Sequence, residues 1–180
     1  IKNDILYYNQ YGFRKNVSTS HALIHLYDKL SEAIDKKEIT IGVFIDLSKA
    51  FDTVNHEILL KKLQYYGIRG VALNWFKDYL SERQQFVNYN GYLSSFRQVK
   101  CGVPQGSVLG SLLFLIYVND ICNVLTSSSL DIIIFADDTS IFFSCDDLNS
   151  LSFKLNNELN KLTEWFSANK LSVNIKKSKY

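Results

Sequence analysis

The sequence predicts a mixed α/β fold (α+β in stricter usage), an antiparallel sheet backed by helices on one face. Three observations carry this. Thr40-Ile-Gly-Val-Phe-Ile-Asp-Leu47 is a short β-branched and apolar run that reads as a buried strand. Ile132-Ile-Ile-Phe-Ala-Asp-Asp-Thr-Ser-Ile-Phe-Phe143 holds two apolar segments around an acidic pair and reads as a hairpin. Several other segments repeat apolar residues every three or four positions, as amphipathic helices do.

Taken in order, residues 1–20 are polar and rich in Asn and Ser, and read as loop. Ser18, Thr19 and Ser20 offer N-caps for a helix near 21–37, where Ala22, Leu23, Leu26, Leu30, Ala33 and Ile34 share a stripe. The strand at 40–47 follows. A second helix is expected over 52–66, with Asp52 in the capping position, Val54, Ile58, Leu59 and Leu63 as its apolar face, and Gly67 just past its end. A third is expected at 71–82. Segments 84–90 and 95–100 read as strands around the Asn90-Gly91 turn. The only proline, Pro104, opens a Gly-rich turn, and a strongly apolar helix is expected from there to about 125. Ser127-Ser-Ser129 reads as loop, and strands at 130–136 and 139–144 flank Asp137 and Asp138. Residues 148–168 form the longest helical pattern, with Leu151, Leu155, Leu159, Leu162 and Phe166 on one face, and a short strand is expected at 171–175.

The chain of 180 residues and 20.7 kDa is one domain's worth, 47% apolar and 14% aromatic, which excludes global disorder. No apolar run reaches the roughly 18 residues of a membrane span, and the first residues carry neither the basic nor the apolar region of a signal peptide. The net charge of +2 marks the chain as neither strongly basic nor strongly acidic. Cys101, Cys122 and Cys145 have no C-x-x-C spacing and read as reduced thiols. His21 and His25 share a helix face but read as solvated or capping residues rather than as a zinc site. The absence of Met leads us to expect a piece of a larger reading frame.

Three acids fall where chemistry is to be expected. Asp46 closes a buried strand, and Asp137 and Asp138 sit at the tip of an apolar hairpin. Adjacent carboxylates repel, and a divalent cation relieves them; Mg²⁺ takes oxygen ligands and needs few carboxylates when phosphates and waters complete its shell. Each acid taken singly also fits a turn or a helix cap.

The joint pattern is more specific, and it resembles the palm of a reverse transcriptase, most closely the non-LTR, LINE- or jockey-like retrotransposon enzymes. Five blocks stand in that family's order: Gln10-Tyr-Gly-Phe-Arg-Lys-Asn-Val-Ser-Thr-Ser20, Phe44-Ile-Asp-Leu-Ser-Lys-Ala-Phe-Asp52, Gly102-Val-Pro-Gln-Gly-Ser-Val-Leu-Gly-Ser-Leu-Leu-Phe114, Phe135-Ala-Asp-Asp138 and Trp165-Phe-Ser-Ala-Asn-Lys-Leu-Ser-Val-Asn-Ile-Lys-Lys177. The resemblance implies RNA-directed DNA synthesis, the transfer of dNTPs onto a primer 3′-hydroxyl on an RNA template with a DNA primer, serving retrotransposition. It implies two Mg²⁺ ions (Mn²⁺ can substitute) held by Asp46, Asp137, Asp138 and the Leu47 carbonyl. Phe51 would be an aromatic platform that excludes a 2′-hydroxyl, although it also suits core packing. Gln105 and Gly106 would meet the nucleotide. Lys177 would stand near the triphosphate, with Lys176 and Lys179 competing for that place, and Arg14 and Lys15 would touch template or nucleotide. The chain would then comprise part of the fingers plus the palm, with a first fingers block and a thumb outside residues 1–180, and would be poorly active alone. An active element would place it inside the host cell, in nucleus and cytoplasm. Other readings are a group II intron-like or telomerase-like reverse transcriptase, an RNA-dependent RNA polymerase, or a decayed, non-catalytic palm.

Overall fold

The computed structural model describes residues 5–127 and 130–180; residues 1–4 and Ser128–Ser129 of the two expected loops lie outside them. The sheet has three antiparallel strands, β1 (Ile39–Ile45), β6 (Leu130–Phe135) and β7 (Asp138–Cys145), in the order β1-β7-β6. Register runs from Ile39 opposite Cys145 to Ile45 opposite Thr139, and β6 pairs with β7 from Leu130–Phe143 to Phe135–Asp138. Both acid-bearing chain segments therefore emerge at one end of the sheet.

The helices are α1 (Thr19–Asp35), α2 (His56–Tyr65), α3 (Gly70–Leu80), α4 (Val108–Val118) and α5 (Leu148–Ala168). The expected helix over 52–66 is shorter and starts later. Ala50–Asp52 forms a 3₁₀ turn, and the cap of α2 is Asn55, whose side-chain oxygen accepts from Ile58 N at 3.1 Å. Asp52 is not the cap. Gly67 ends this helix as expected, in a left-handed conformation (φ +91°) that suits glycine. The apolar helix expected to reach 125 stops at Val118, followed by a separate 3₁₀ turn at Ile121–Val124. Asn119 explains the break. Its side-chain oxygen accepts from Tyr7 N at 2.7 Å, and its Nδ2 donates to Ile5 O and the Tyr66 hydroxyl at 2.8 and 2.9 Å.

The hairpin expected at 84–100 exists as two short ladders, β2 (Gln84–Gln85) with β5 (Arg97–Gln98) and β3 (Asn88–Tyr89) with β4 (Tyr92–Leu93), turning at Asn90-Gly91. The strand expected at 171–175 is reduced to an isolated bridge, Val173 with Leu47, and a second bridge joins Lys179 to Phe44.

The core is built on α4, whose residues Leu113 through Val118 are all buried. It closes over Leu59 and Leu63 of α2, Ile132 and Ile134 of β6, and Leu162, Trp165 and Phe166 of α5. Tyr117 is fully buried, and its hydroxyl donates to Asn169 O at 2.6 Å while accepting from Asn55 N at 3.3 Å. Lys62 reaches into this layer, with its Nζ on Asp120 at 2.6 Å and 5.0 Å from both the Tyr117 and Trp165 ring centroids. On the sheet itself Leu151 and Leu155 of α5 pack with Phe143, Ile41 and Val43. The helices are not confined to that face: α1 touches β6 and β1, and its Ala22, Leu23 and Leu26 share a groove with Phe44, Ile133, Ser140 and Phe142 on the opposite face. The alternation of Phe142 and Phe143 along β7 makes both faces apolar and requires two covers. Among the described residues no helix is long and apolar enough to cross a membrane.

Candidate active site

Asp46 follows Ile45 directly, and Ile45 lies opposite Thr139, the residue after Asp138. Asp46 and Asp138 thus lie just past the last pair of the β1/β7 ladder, at the same end of the sheet, with Asp137 in the two-residue turn between β6 and β7. The Asp138 carboxyl is held above its ordinary range, first by partial burial, then by the charges of Asp137 and Asp46, with Lys177 pulling the other way. Those influences place all four groups in one electrostatic neighbourhood. The Lys177 Nζ lies 4.0 Å from Asp46 Oδ1 and stays largely exposed. Of Lys176, Lys177 and Lys179, only Lys177 pairs with a site carboxylate among the described residues. Backbone bonds tie the segment carrying it to β1: Asn174 N donates to Asp46 O at 2.8 Å and Phe44 N to Lys179 O at 2.8 Å.

Beside the acids is a cleft of about 850 Å³, lined by Asp137, Leu47, Phe51, Gln105 and Gly106, and by Phe13, Lys49 and Ser107. Its floor is assembled by a long-range backbone pairing. Gly102 N donates to Val54 O and Val103 N to Phe51 O, both at 2.8 Å, so the turn after β1 and the Pro104 turn are held together. Gly102 (φ +90°) lies so close to Asp52 that a Cβ would come within 2.8 Å of its carbonyl oxygen. Asp52, freed from capping, accepts from Gln105 Nε2 at 2.9 Å and orients that side chain. Gly106 takes φ +76° with open space where a side chain would stand. Ser107 then caps α4, accepting from Gly110 N at 2.9 Å and donating to Pro104 O at 2.8 Å.

Phe51 is half-buried in the 3₁₀ turn, stacked on Phe114 (4.3 Å between centroids, 27°) and met edge-on by Phe13 (6.1 Å, 89°). Its packing and cleft-lining readings are compatible, because one face leans on the core while the ring borders the cleft. Arg14 is turned inward: its Nη1 donates to the carbonyls of Tyr7, Tyr8 and Gln10 at 2.9, 3.2 and 3.1 Å. Lys15 is exposed beside it. Neither lines the cleft, whereas Phe13 does. His21 and His25 go to separate partners, Ser18 and Tyr11, and the three cysteines are free thiols.

Sequence reasoning assigned nothing to Phe13, Lys49 or Ser107. Lys49 stands three residues after Asp46 in a left-handed conformation (φ +50°), and a cation one turn from an acid was the available signal. The side chains at this end of the sheet are carboxylates, hard oxygen donors of the kind that suit divalent cations. Among the described residues no three His, Cys, Asp or Glu side chains are grouped so as to hold a metal ion.

This arrangement of an antiparallel sheet, acid-tipped hairpin and flanking helices is that of a polymerase palm. Telomerase from Candida tropicalis in complex with a fragment of telomeric RNA superposes with a TM-score of 0.66 at 14% identity, covering 90% of this chain and 29% of that one. Candida albicans telomerase gives 0.64 at 18% identity, over 90% of this chain and 30% of that one. The sequence matches the reverse transcriptase (RNA-dependent DNA polymerase) family over residues 1–180, and the chain belongs to that family. It is 32% identical to the probable RNA-directed DNA polymerase from transposon BS of Drosophila melanogaster, over 94% of this chain and 19% of that protein. It is 31% identical to the RNA-directed DNA polymerase from the mobile element jockey of the same species, over 93% and 19%. The chain thus spans about a fifth of these relatives' length.

Proposed function

We propose that residues 1–180 form the catalytic palm, with part of the fingers, of an RNA-directed DNA polymerase of a non-LTR retrotransposon. The observation that supports this reading is a cleft lined by Asp137, Phe51, Gln105 and Gly106, at the end of the sheet that also carries Asp46 and Asp138. The substrates are dNTPs, the template RNA and the primer DNA. In the reaction the primer 3′-oxygen bonds to the α-phosphorus, the bond to pyrophosphate breaks, and the hydroxyl proton leaves.

Asp46, Asp137, Asp138 and the Leu47 carbonyl are the groups that would hold two Mg²⁺ ions. When bound, these ions supply charge stabilisation at the attacking and leaving oxygens. The chain's own contributions are distinct. Antiparallel pairing of β1, β6 and β7 brings the three acids to one end of the sheet. Phe51, braced by Phe114, presents a rigid ring under the sugar, and Gln105, oriented by Asp52, faces the same cleft. The Lys177 ammonium stands beside Asp46, where it can neutralise the triphosphate and give a proton to departing pyrophosphate.

The test is primer extension on an RNA template with Mg²⁺ by the protein that carries this chain. Asp137→Asn should lower the rate by more than about a hundredfold while leaving melting unchanged. Extension at the parental rate by Asp137→Asn would refute the assignment.

A further inference from the structure

The Asp137 turn is held by residues of the N-terminal segment. Gln10 is buried, and its Oε1 accepts from Ala136 N at 3.0 Å and from Gly12 N at 2.7 Å. Ala136 immediately precedes Asp137 and takes φ +59°, in a two-residue hairpin whose first central position is one where glycine is at home. A Cβ on Gly12 would lie 2.3 Å from Ala136 N, so the two backbones approach as closely as glycine permits. The segment is also laced to the outer edge of β6: Ile134 N donates to Asn9 O at 2.9 Å and Tyr11 N to Ile134 O at 2.8 Å. Arg14 closes the arrangement by donating to the Gln10 carbonyl.

The Gln10 amide is only half used. Its Nε2 is buried with no hydrogen-bond partner among the described residues. Turning the amide over would aim NH₂ at two N–H donors, so the orientation is fixed by its neighbours. A methionine would fill this space without an orphaned donor, which would otherwise weigh against the fold. What glutamine supplies that methionine cannot is the oxygen on Ala136 N–H.

We propose that Gln10 and Gly12 clamp the Ala136–Asp137 turn, and that Gln10 is a positioning residue for the Asp137 carboxylate. This rests on the assignment of Asp137 to the reaction. The clamp secures an alanine in a left-handed conformation that it rarely holds unaided, and so fixes the direction in which the next side chain leaves the backbone.

The experiment uses the full polymerase carrying this chain, with Gln10→Met, Ala136→Gly, the double variant and Asp137→Asn, and with Gln10→Asn as a shorter amide should Gln10→Met fail to fold. Single-turnover extension should fall about tenfold to a hundredfold in Gln10→Met, since misplacement by about 1 Å costs about that much. The dNTP dissociation constant should not change. In the metal-free protein, hydrogen exchange across residues 132–143 should quicken. Ala136→Gly, which removes the left-handed penalty, should restore part of the lost rate. An unchanged rate in Gln10→Met, or a loss that follows melting temperature alone and is not relieved by Ala136→Gly, overturns the clamp. Parental activity in Asp137→Asn overturns the underlying assignment instead, so the two failures are distinguishable.

Discussion

Removing the hydroxyl of Tyr117 tests the architecture beneath the site. Tyr117→Phe keeps the ring that α2, α4 and α5 pack around and deletes one atom. That atom joins three elements, donating to Asn169 O at the end of α5 and accepting from Asn55 N at the cap of α2. Tyr117 has no exposed surface and Asn169 is 6% exposed, so water has little access to the stranded carbonyl. A buried group left unpaired costs about 1–3 kcal/mol, and the Asn169 bond is the shorter and more buried of the two. We therefore expect a loss of about 2 kcal/mol, which for a domain of this size is a fall of roughly 4–8 °C in melting temperature. Urea unfolding of residues 1–180 and of the Tyr117→Phe variant measures it through the midpoint at constant m-value. A loss below about 0.5 kcal/mol would refute the reasoning, because it is the size expected of an unremarkable surface change.

Two further outcomes follow from the site and from α5. Phe51→Val should admit rNTPs by shortening the ring that borders the cleft, relaxing sugar discrimination by about 10–100-fold in competition assays; unchanged exclusion would place the gate elsewhere. Asp147 caps α5, and the Ser150 N–H it accepts at 2.8 Å, together with its other local bonds, holds its carboxyl below the ordinary range. A lowered folded pKa means that this stabilisation is present above the ordinary aspartate value of about 3.9 and is lost as pH falls through the lowered one. Amide protection in the first turn of α5, measured against the intrinsic exchange rate at each pH, should therefore fall in acid, and Asp147→Asn should flatten that dependence.

The sequence made some of this legible and hid the rest for identifiable reasons. Helix α5 lies at the expected bounds because its apolar stripe and flanking residues are local signals. The hairpin was equally plain from its two apolar runs, but its turn is Ala136–Asp137, not Asp137-Asp138: Asp138 already belongs to β7, opposite Phe135. The start of α2 was misplaced because Asp52 and Asn55 are both good caps. What decides between them is a pairing with Gly102 and Val103 some fifty residues away, which draws Phe51 and Asp52 into a 3₁₀ turn. Asn119 ended α4 through contacts with Tyr7, Ile5 and Tyr66 that no local pattern displays. Leu47, Phe51, Gln105, Gly106 and Asp137 do share one cleft, whereas Arg14 faces the loop that carries it. Gln10 opened the first of the five blocks but carried no assigned role, because its partner is a backbone N–H at position 136.

The strand order leaves β1 and β6 as the rims of a small sheet, and at the end bearing the carboxylates neither rim is bare. Residues 9–11 occupy one and residues 172–179 the other. Bare rims invite pairing between molecules, so these irregular segments also act as guards against self-association. Each guard is bonded to the strand that presents one of the acids. Loosening either one would expose a sticky rim and disturb one of the proposed metal ligands in the same event, so clumping of the protein would report damage to the proposed site before any assay of turnover.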